Sequence, residues 1–151
     1  MRLFIAIRLS DEMKKALITC MHDLKKQGVE GNYVPAQNLH MTLAFIGEYD
    51  DPEKVKKVIK KVPMPEFRLS LSEKGNFGNI LWAGVKGNQK LKAYVKELRS
   101  ALDEEGIPYD RSSFVPHITL IRKASAKKPY QVRLGKAVMT VKRASLMKSE
   151  Q

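Results

Sequence analysis

Two short runs of this chain, His40-Met41-Thr42-Leu43 and His117-Ile118-Thr119-Leu120, repeat one pattern: a histidine and a threonine two residues apart, then leucine. They hold two of the three histidines and two of the four threonines in 151 residues. Composition puts an accidental match on the order of one in 10⁴ to 10⁵, well below the false-positive risk of an ordinary short motif. Imidazole changes charge near neutral pH, so a pair of them can act together as general acid and general base. Displacement at a phosphodiester uses such a pair. One ring takes a proton from the attacking water while the other gives one to the departing oxygen. Those oxygens lie roughly in line, so the two rings must flank the phosphorus. The hydroxyls of Thr42 and Thr119 would donate to the non-bridging oxygens as charge develops there. Chemistry of this kind calls for no metal ion and no cofactor, and none is expected.

The elements that must hold these residues can be read from periodicity. Leu3, Ile5, Ile7 and Leu9 alternate with Phe4, Ala6 and Arg8, the period of a strand. Ser10 offers an N-cap, Asp11 and Glu12 fill the first turn, and Met13, Ala16, Leu17, Cys20, Met21 and Leu24 recur at helical spacing until Gly28. A second helix opens at Asp51-Pro52, buries Val55, Val58, Ile59 and Val62, and ends at Pro63 and Pro65. Phe67, Leu69 and Leu71 alternate as a strand, the glycine-rich stretch 74–79 is expected to turn, and residues 80–85 return as another. The order then repeats. Asn88 is placed as the cap of a helix carrying Leu91, Tyr94, Val95, Leu98, Ala101 and Leu102, stopped by Gly106, and a loop leads to the second motif. Ser10 precedes His40 by 30 residues and Asn88 precedes His117 by 29. One more strand is expected around Val138 and Thr140. This is the outline of a diverged duplication, in which each unit needs a neighbour to cover its sheet.

The expected fold class is therefore α+β and bilobal: two pseudo-symmetric antiparallel β-sheet lobes, helices on their outer faces and a central cleft. One domain spans residues 1–151, with lobes of 1–75 and 76–151 between which strands can exchange. On a strand, residues two apart share a face. His40 and Thr42 then look into the cleft while Met41, Leu43 and Phe45 take the apolar side, and His117 and Thr119 are opposed to Ile118 and Leu120 in the same way. Each lobe contributes one imidazole and one hydroxyl.

Bulk properties set the surroundings. Hydrophobic residues make up 43% of the chain, too many for a disordered segment. No apolar run approaches the ~20 residues that cross a bilayer. The opening residues read as a strand and carry no small-residue cleavage site, so no signal peptide is expected. Cys20, the single cysteine, cannot form an internal disulfide, and a cytoplasmic address is expected. The net charge of +12 favours polyanionic partners through counterion release, although lysines such as Lys54, Lys56, Lys57, Lys60 and Lys61 also suit a solvated helix face. A lone histidine on a strand is more often structural than catalytic. Repetition at matched positions overturns that reading for His40 and His117, whereas His22 lies on the helix face away from Met13, Leu17 and Leu24 and is expected in solvent.

At these residues the chain resembles the two-histidine (2H) phosphoesterase superfamily, and within it the LigT-like RNA 2′,3′-cyclic phosphodiesterases, historically called 2′-5′ RNA ligases. The resemblance runs through Arg2-Leu3-Phe4-Ile5-Ala6-Ile7, Asn38-Leu39-His40-Met41-Thr42-Leu43-Ala44-Phe45-Ile46-Gly47, Leu81-Trp82-Ala83-Gly84-Val85 and Phe114-Val115-Pro116-His117-Ile118-Thr119-Leu120-Ile121-Arg122. It implies opening of a terminal 2′,3′-cyclic phosphate to a 2′-phosphate, with RNA ends or nucleotides bearing that group as partners. Carried over, His40 is the proton donor, His117 the proton acceptor, and Arg122 lies near the phosphate. Strict alternation would set Arg122 on the face opposite His117, so a strand end or bend must turn it. Phe77 and Tyr109, in loop contexts, are the candidates for stacking a nucleobase, and Trp82 is assigned to the core. Members of the family run on past the positions of Lys148-Ser149 into one more strand, whereas this sequence ends at Gln151; a monomer is expected. Three other readings stay in play: 2′-5′ linkage cleavage or its reversal as ligation, a non-catalytic module that only holds an RNA end, and a metal site made by His40 and His117. The last has a poor ligand set.

Overall fold

The computed structural model describes residues 1–86 and 89–149. Along the chain the elements are β1 (Arg2–Arg8), α1 (Asp11–Lys26), β2 (Glu30–Tyr33), a 3₁₀ turn (Ala36–Asn38), β3 (His40–Glu48), α2 (Pro52–Lys61), β4 (Phe67–Phe77), β5 (Ile80–Val85), α3 (Gln89–Glu104), β6 (His117–Ser125), β7 (Val138–Val141) and β8 (Ser145–Ser149). The expected caps form where they can be seen. Ser10 accepts from the Met13 amide at the start of α1, and Asp51 accepts from the Lys54 amide at the start of α2. The cap assigned to Asn88 lies outside the described residues.

The strands make two antiparallel sheets, one of order β3-β1-β8 and one of order β2-β6-β5-β4-β7, so the α+β class and the paired sheets are as expected. Their membership cuts across the order of the chain. β2 and β4, from the first half, lie in the five-stranded sheet with β5 and β6, and β8 returns from the far end to pair with β1. The helices cross too: α1 packs on β7 of the five-stranded sheet, and α3 packs on β3 of the three-stranded one. One continuous core results, in which Leu17 and Leu24 of α1 and Leu91, Leu98 and Leu102 of α3 are fully buried. Each sheet thus takes part of its cover from the other half of the chain.

Two strands escape the periodicity. β2 is only Glu30-Gly31-Asn32-Tyr33, largely exposed and without alternation; it is extended because it pairs with β6. The other is β8, half-buried except at the exposed Lys148. The expected turn at 74–79 is shorter than the glycines suggested. β4 continues through Phe77, and only Gly78 and Asn79 turn. Gly75 belongs to the strand and faces Trp82 across the β4–β5 ladder, where an added Cβ would lie 2.1 Å from the indole ring. That glycine makes room for a ring.

Each motif strand carries a bulge at the same place. In the β1–β3 ladder Ile5 faces Ala44 and Ala6 faces Thr42, leaving Leu43 as the extra residue. In the β5–β6 ladder Leu81 faces Ile121 and Trp82 faces Thr119, leaving Leu120. Leu43 and Leu120 are both the third residue after their histidines. An extra residue reverses the inside–outside parity downstream. Leu43-Ala44 and Leu120-Ile121 are accordingly buried as consecutive pairs, and the next residue of each strand changes side. On the outer flank of β6, Gly31 of β2 sits against this irregularity with φ +148; a Cβ there would lie 2.7 Å from Ile121 Cγ2 and 2.8 Å from the Arg122 carbonyl oxygen. Gly31→Ala therefore forces β2 off β6 or strains both, a loss of about 2 kcal/mol. Urea denaturation checks it, and a wild-type midpoint would show that the close approach is dispensable.

Candidate active site

The 3₁₀ turn delivers the chain into β3 so that His40 opens the strand, and Val115-Pro116 delivers His117 to the start of β6 in the same way. Local backbone then orients both rings alike. His40 Nδ1 is 2.6 Å from the Asn38 carbonyl oxygen, and His117 Nδ1 is 2.6 Å from the Val115 carbonyl oxygen, in each case two residues back. A carbonyl can only accept, so both Nδ1 atoms carry hydrogen and each neutral ring keeps its lone pair on Nε2. His40 Nε2 lies 3.0 Å from Thr42 Oγ1, which donates to it. Nitrogen and hydroxyl of the first motif thus converge on one point.

Both rings look into one cleft of about 730 Å³, whose walls include His40 and Thr42 of β3, His117, Thr119 and Arg122 of β6, Arg2 and Phe4 of β1, and Lys148 of β8. The two motif threonines and Arg122 are brought together with the two histidines. Arg122 reaches the cleft because of the bulge at Leu120, not at a strand end. The equivalent bulge at Leu43 brings Phe45 to the cleft wall, which corrects its expected place on the apolar face. Arg2 stands over the Phe45 ring at 5.6 Å. Arg2, Phe45 and Lys148 are cleft residues that periodicity could not find: Arg2 and Lys148 depend on the sheet order β3-β1-β8, and Phe45 on an irregularity that leaves no mark in residue type.

Each imidazole has an aromatic backing. Phe4 lies against His40 with ring centroids 4.8 Å apart. Phe77 meets His117 edge-on at 5.1 Å, and Trp82 is 5.7 Å from the same ring. Phe77 is 43% exposed and ends a strand rather than sitting in a loop. Trp82 is not a core residue: it is half-buried beside His117, opposite Thr119 in the ladder, because the bulge and the missing side chain of Gly75 let its ring lie along the sheet. Tyr109 is not among the cleft residues. Its hydroxyl donates to Asp103, and the Arg99 and Arg111 guanidinium groups lie over its ring at 5.5 and 4.6 Å. His22 is exposed, as expected.

The electrostatics of the cleft are cationic. Burial lowers the His40 pKa from the ordinary histidine value, the carbonyl of Asn38 works against that, and the charges of Arg122 and His117 add to the lowering. A ring that loses its proton more readily is a better donor to a poor leaving group. Among the described residues no three His, Cys, Asp or Glu side chains are placed to hold a metal ion, and no helix is long and apolar enough to cross a membrane.

A bilobal α+β fold with one His-x-Thr on each of two facing strands, opening on a single basic cleft, is the arrangement of the two-histidine phosphoesterases. A model of the 2′-5′ RNA ligase superfamily matches residues 12–151, and the chain belongs to that family. It is similar to the RNA 2′,3′-cyclic phosphodiesterase of Thermotoga maritima, with 32% identity over 132 residues, 81% of this chain and 70% of the relative. The Escherichia coli protein of the same name is 34% identical over 131 residues, 82% of this chain and 73% of its own. Among solved structures, that of E. coli LigT complexed with 3′-AMP superposes with a TM-score of 0.81 at 29% identity, covering 96% of this chain and 86% of that one.

The lowered His40 pKa has two consequences. The free protein should show His40 titrating below the ordinary value of about 6.5 in ring-proton NMR, and Arg122→Gln should move that titration upward by removing a repelling charge. Because folding favours the neutral ring, the stabilisation is full above the unfolded value and lost as pH falls through the lower folded one. A His40 titration at the ordinary value would remove this pH dependence of stability, and one above it would reverse its sign.

Proposed function

We propose that this protein hydrolyses RNA ends carrying a 2′,3′-cyclic phosphate to 2′-phosphomonoesters, without a metal ion, and that residues 1–151 work as one monomeric domain. The observation that carries this reading is the matched pair of imidazoles. Each is tied at Nδ1 to a backbone carbonyl, which leaves Nε2 for chemistry, and both residues line one cationic cleft. Relatives at 32% and 34% identity bear the name of this activity.

In the proposed reaction water attacks phosphorus while His117 Nε2 takes its proton. The bond from phosphorus to O3′ breaks in line, and His40 Nε2 protonates the departing O3′. The 2′-phosphate and a 3′-hydroxyl remain, and the two rings have exchanged protonation states. Thr42, Thr119 and Arg122 hold the non-bridging oxygens, whose charge grows in the transition state. Donor and acceptor are assigned as in the family, and the His40 environment supports that direction because it disfavours keeping the proton. Phe77, exposed beside His117, offers a face on which a terminal base can stack. Cys20 is free and buried, which fits a reducing, cytoplasmic setting.

Product analysis on an oligonucleotide ending in a 2′,3′-cyclic phosphate tests the proposal: the 2′-phosphate should form with or without a chelator. His40→Ala and His117→Ala should each lower kcat by roughly 10²–10⁴-fold. The pH dependence of kcat/KM should be bell-shaped, and the residual activities should each lose one limb. Without the acid, the His40→Ala rate should no longer fall at high pH; without the base, the His117→Ala rate should no longer fall at low pH. Salt-sensitive binding with no product at any pH would make the protein a holder of RNA ends instead.

A further inference from the structure

A second basic pocket opens at the other end of β1, and the reaction above makes no use of it. Its volume is about 480 Å³. Arg8, the last residue of β1, and Lys142 and Arg143, in the connection from β7 to β8, supply its charge, and all three are exposed. Thr140 and Ser145 add hydroxyls, and among the described residues no carboxylate lines it. The nearest acidic residues along the chain, Asp11 and Glu12, belong to the first turn of α1 and are not part of the wall.

Its position gives the charge a purpose. Arg8 is the ladder partner of His40, so the pocket begins one residue pair from the proposed proton donor. β1 and β8 run under both sites: Arg2 and Lys148 line the cleft, Arg8 and Ser145 the second pocket. Six residue steps separate Arg2 from Arg8, roughly 20 Å of extended strand. A single cyclic phosphate occupies one of these clusters and leaves the other empty-handed. A polynucleotide has further phosphates to offer. We propose that Arg8, Lys142 and Arg143 bind backbone phosphates of the single strand that leads to the terminal cyclic phosphate, so that the binding surface continues past His40. This rests on the RNA-end reading and adds where the rest of the strand lies.

The double variant Lys142→Glu/Arg143→Glu tests it, against Lys57→Glu/Lys60→Glu on the exposed face of α2 as a control with the same change in net charge. The substrates are a 2′,3′-cyclic mononucleotide and a single-stranded oligonucleotide ending in the same group. The ratio of kcat/KM, oligonucleotide over mononucleotide, should fall about tenfold in the first variant through KM, and hold in the control. The slope of log KM for the oligonucleotide against log salt should become shallower by about 1.4, two contacts at about 0.7 each. An unchanged ratio and slope, or an equal loss in the control, would overturn the proposal. Fluorescence anisotropy with an oligonucleotide ending in a 2′-phosphate reads the same surface without turnover. If the wild type cleaved neither substrate, the hydrolase reading would fail, and the binding loss specific to Lys142 and Arg143 would still decide this one.

Discussion

Side chains alternate along a β-strand, and the cleft depends on a break in that alternation directly after each motif. Histidine and threonine, two residues apart, share the cleft face by ordinary pleat geometry. The residue five positions beyond the histidine would fall on the opposite face. One extra residue, Leu43 in β3 and Leu120 in β6, reverses the parity, so Phe45 and Arg122 arrive beside the motifs that precede them. A bulge leaves a residue unpaired and twists the strand more strongly. Here it adds a cation to one wall and an aromatic ring to the other. The duplication is thus repeated in its irregularity, while the residues delivered by it have diverged.

Orientation of the two imidazoles is a local matter, settled by a carbonyl two residues upstream of each. Their electrostatics are collective. Burial, Arg122 and the second imidazole all act on His40, and only the backbone carbonyl opposes them. In the proposed reaction donor and acceptor are one residue type, so their surroundings must tell them apart, which is the usual way for one kind of side chain to take two roles. The surplus of cations that lowers the affinity of His40 for its proton also attracts the phosphate that would raise it.

Crossing of the helices and end strands makes the cleft a property of the whole chain. α1 covers the sheet that holds His117, α3 covers the sheet that holds His40, and β8 completes the first sheet from the far end of the described residues. Each sheet takes part of its cover from a helix of the other half, so both halves build the walls of the cleft.

Much of this was legible in residue order. Ser10 and Asp51 cap helices because their side chains can replace missing backbone partners, and the apolar run from Leu3 to Ile7 marks β1, although Phe4 and Ala6 are buried too because β1 is the central strand of its sheet. The paired His-x-Thr runs named the four central residues of the cleft, since their chemistry and their two-residue spacing are local facts. What residue order did not carry was parity after the bulges, pairing, and neighbours. Phe45 read as buried, Trp82 as core and Tyr109 as a cleft residue, because strand period cannot show an inserted residue and composition cannot show which ring fits over Gly75. β2 and β8 have no pattern of their own and exist through hydrogen bonds to β6 and β1. By itself the sequence determined the two histidine–threonine pairs and the elements that carry them, because those rest on interactions within a few residues. The tertiary structure alone decided what stands around those groups, because that depends on contacts between segments far apart in the chain.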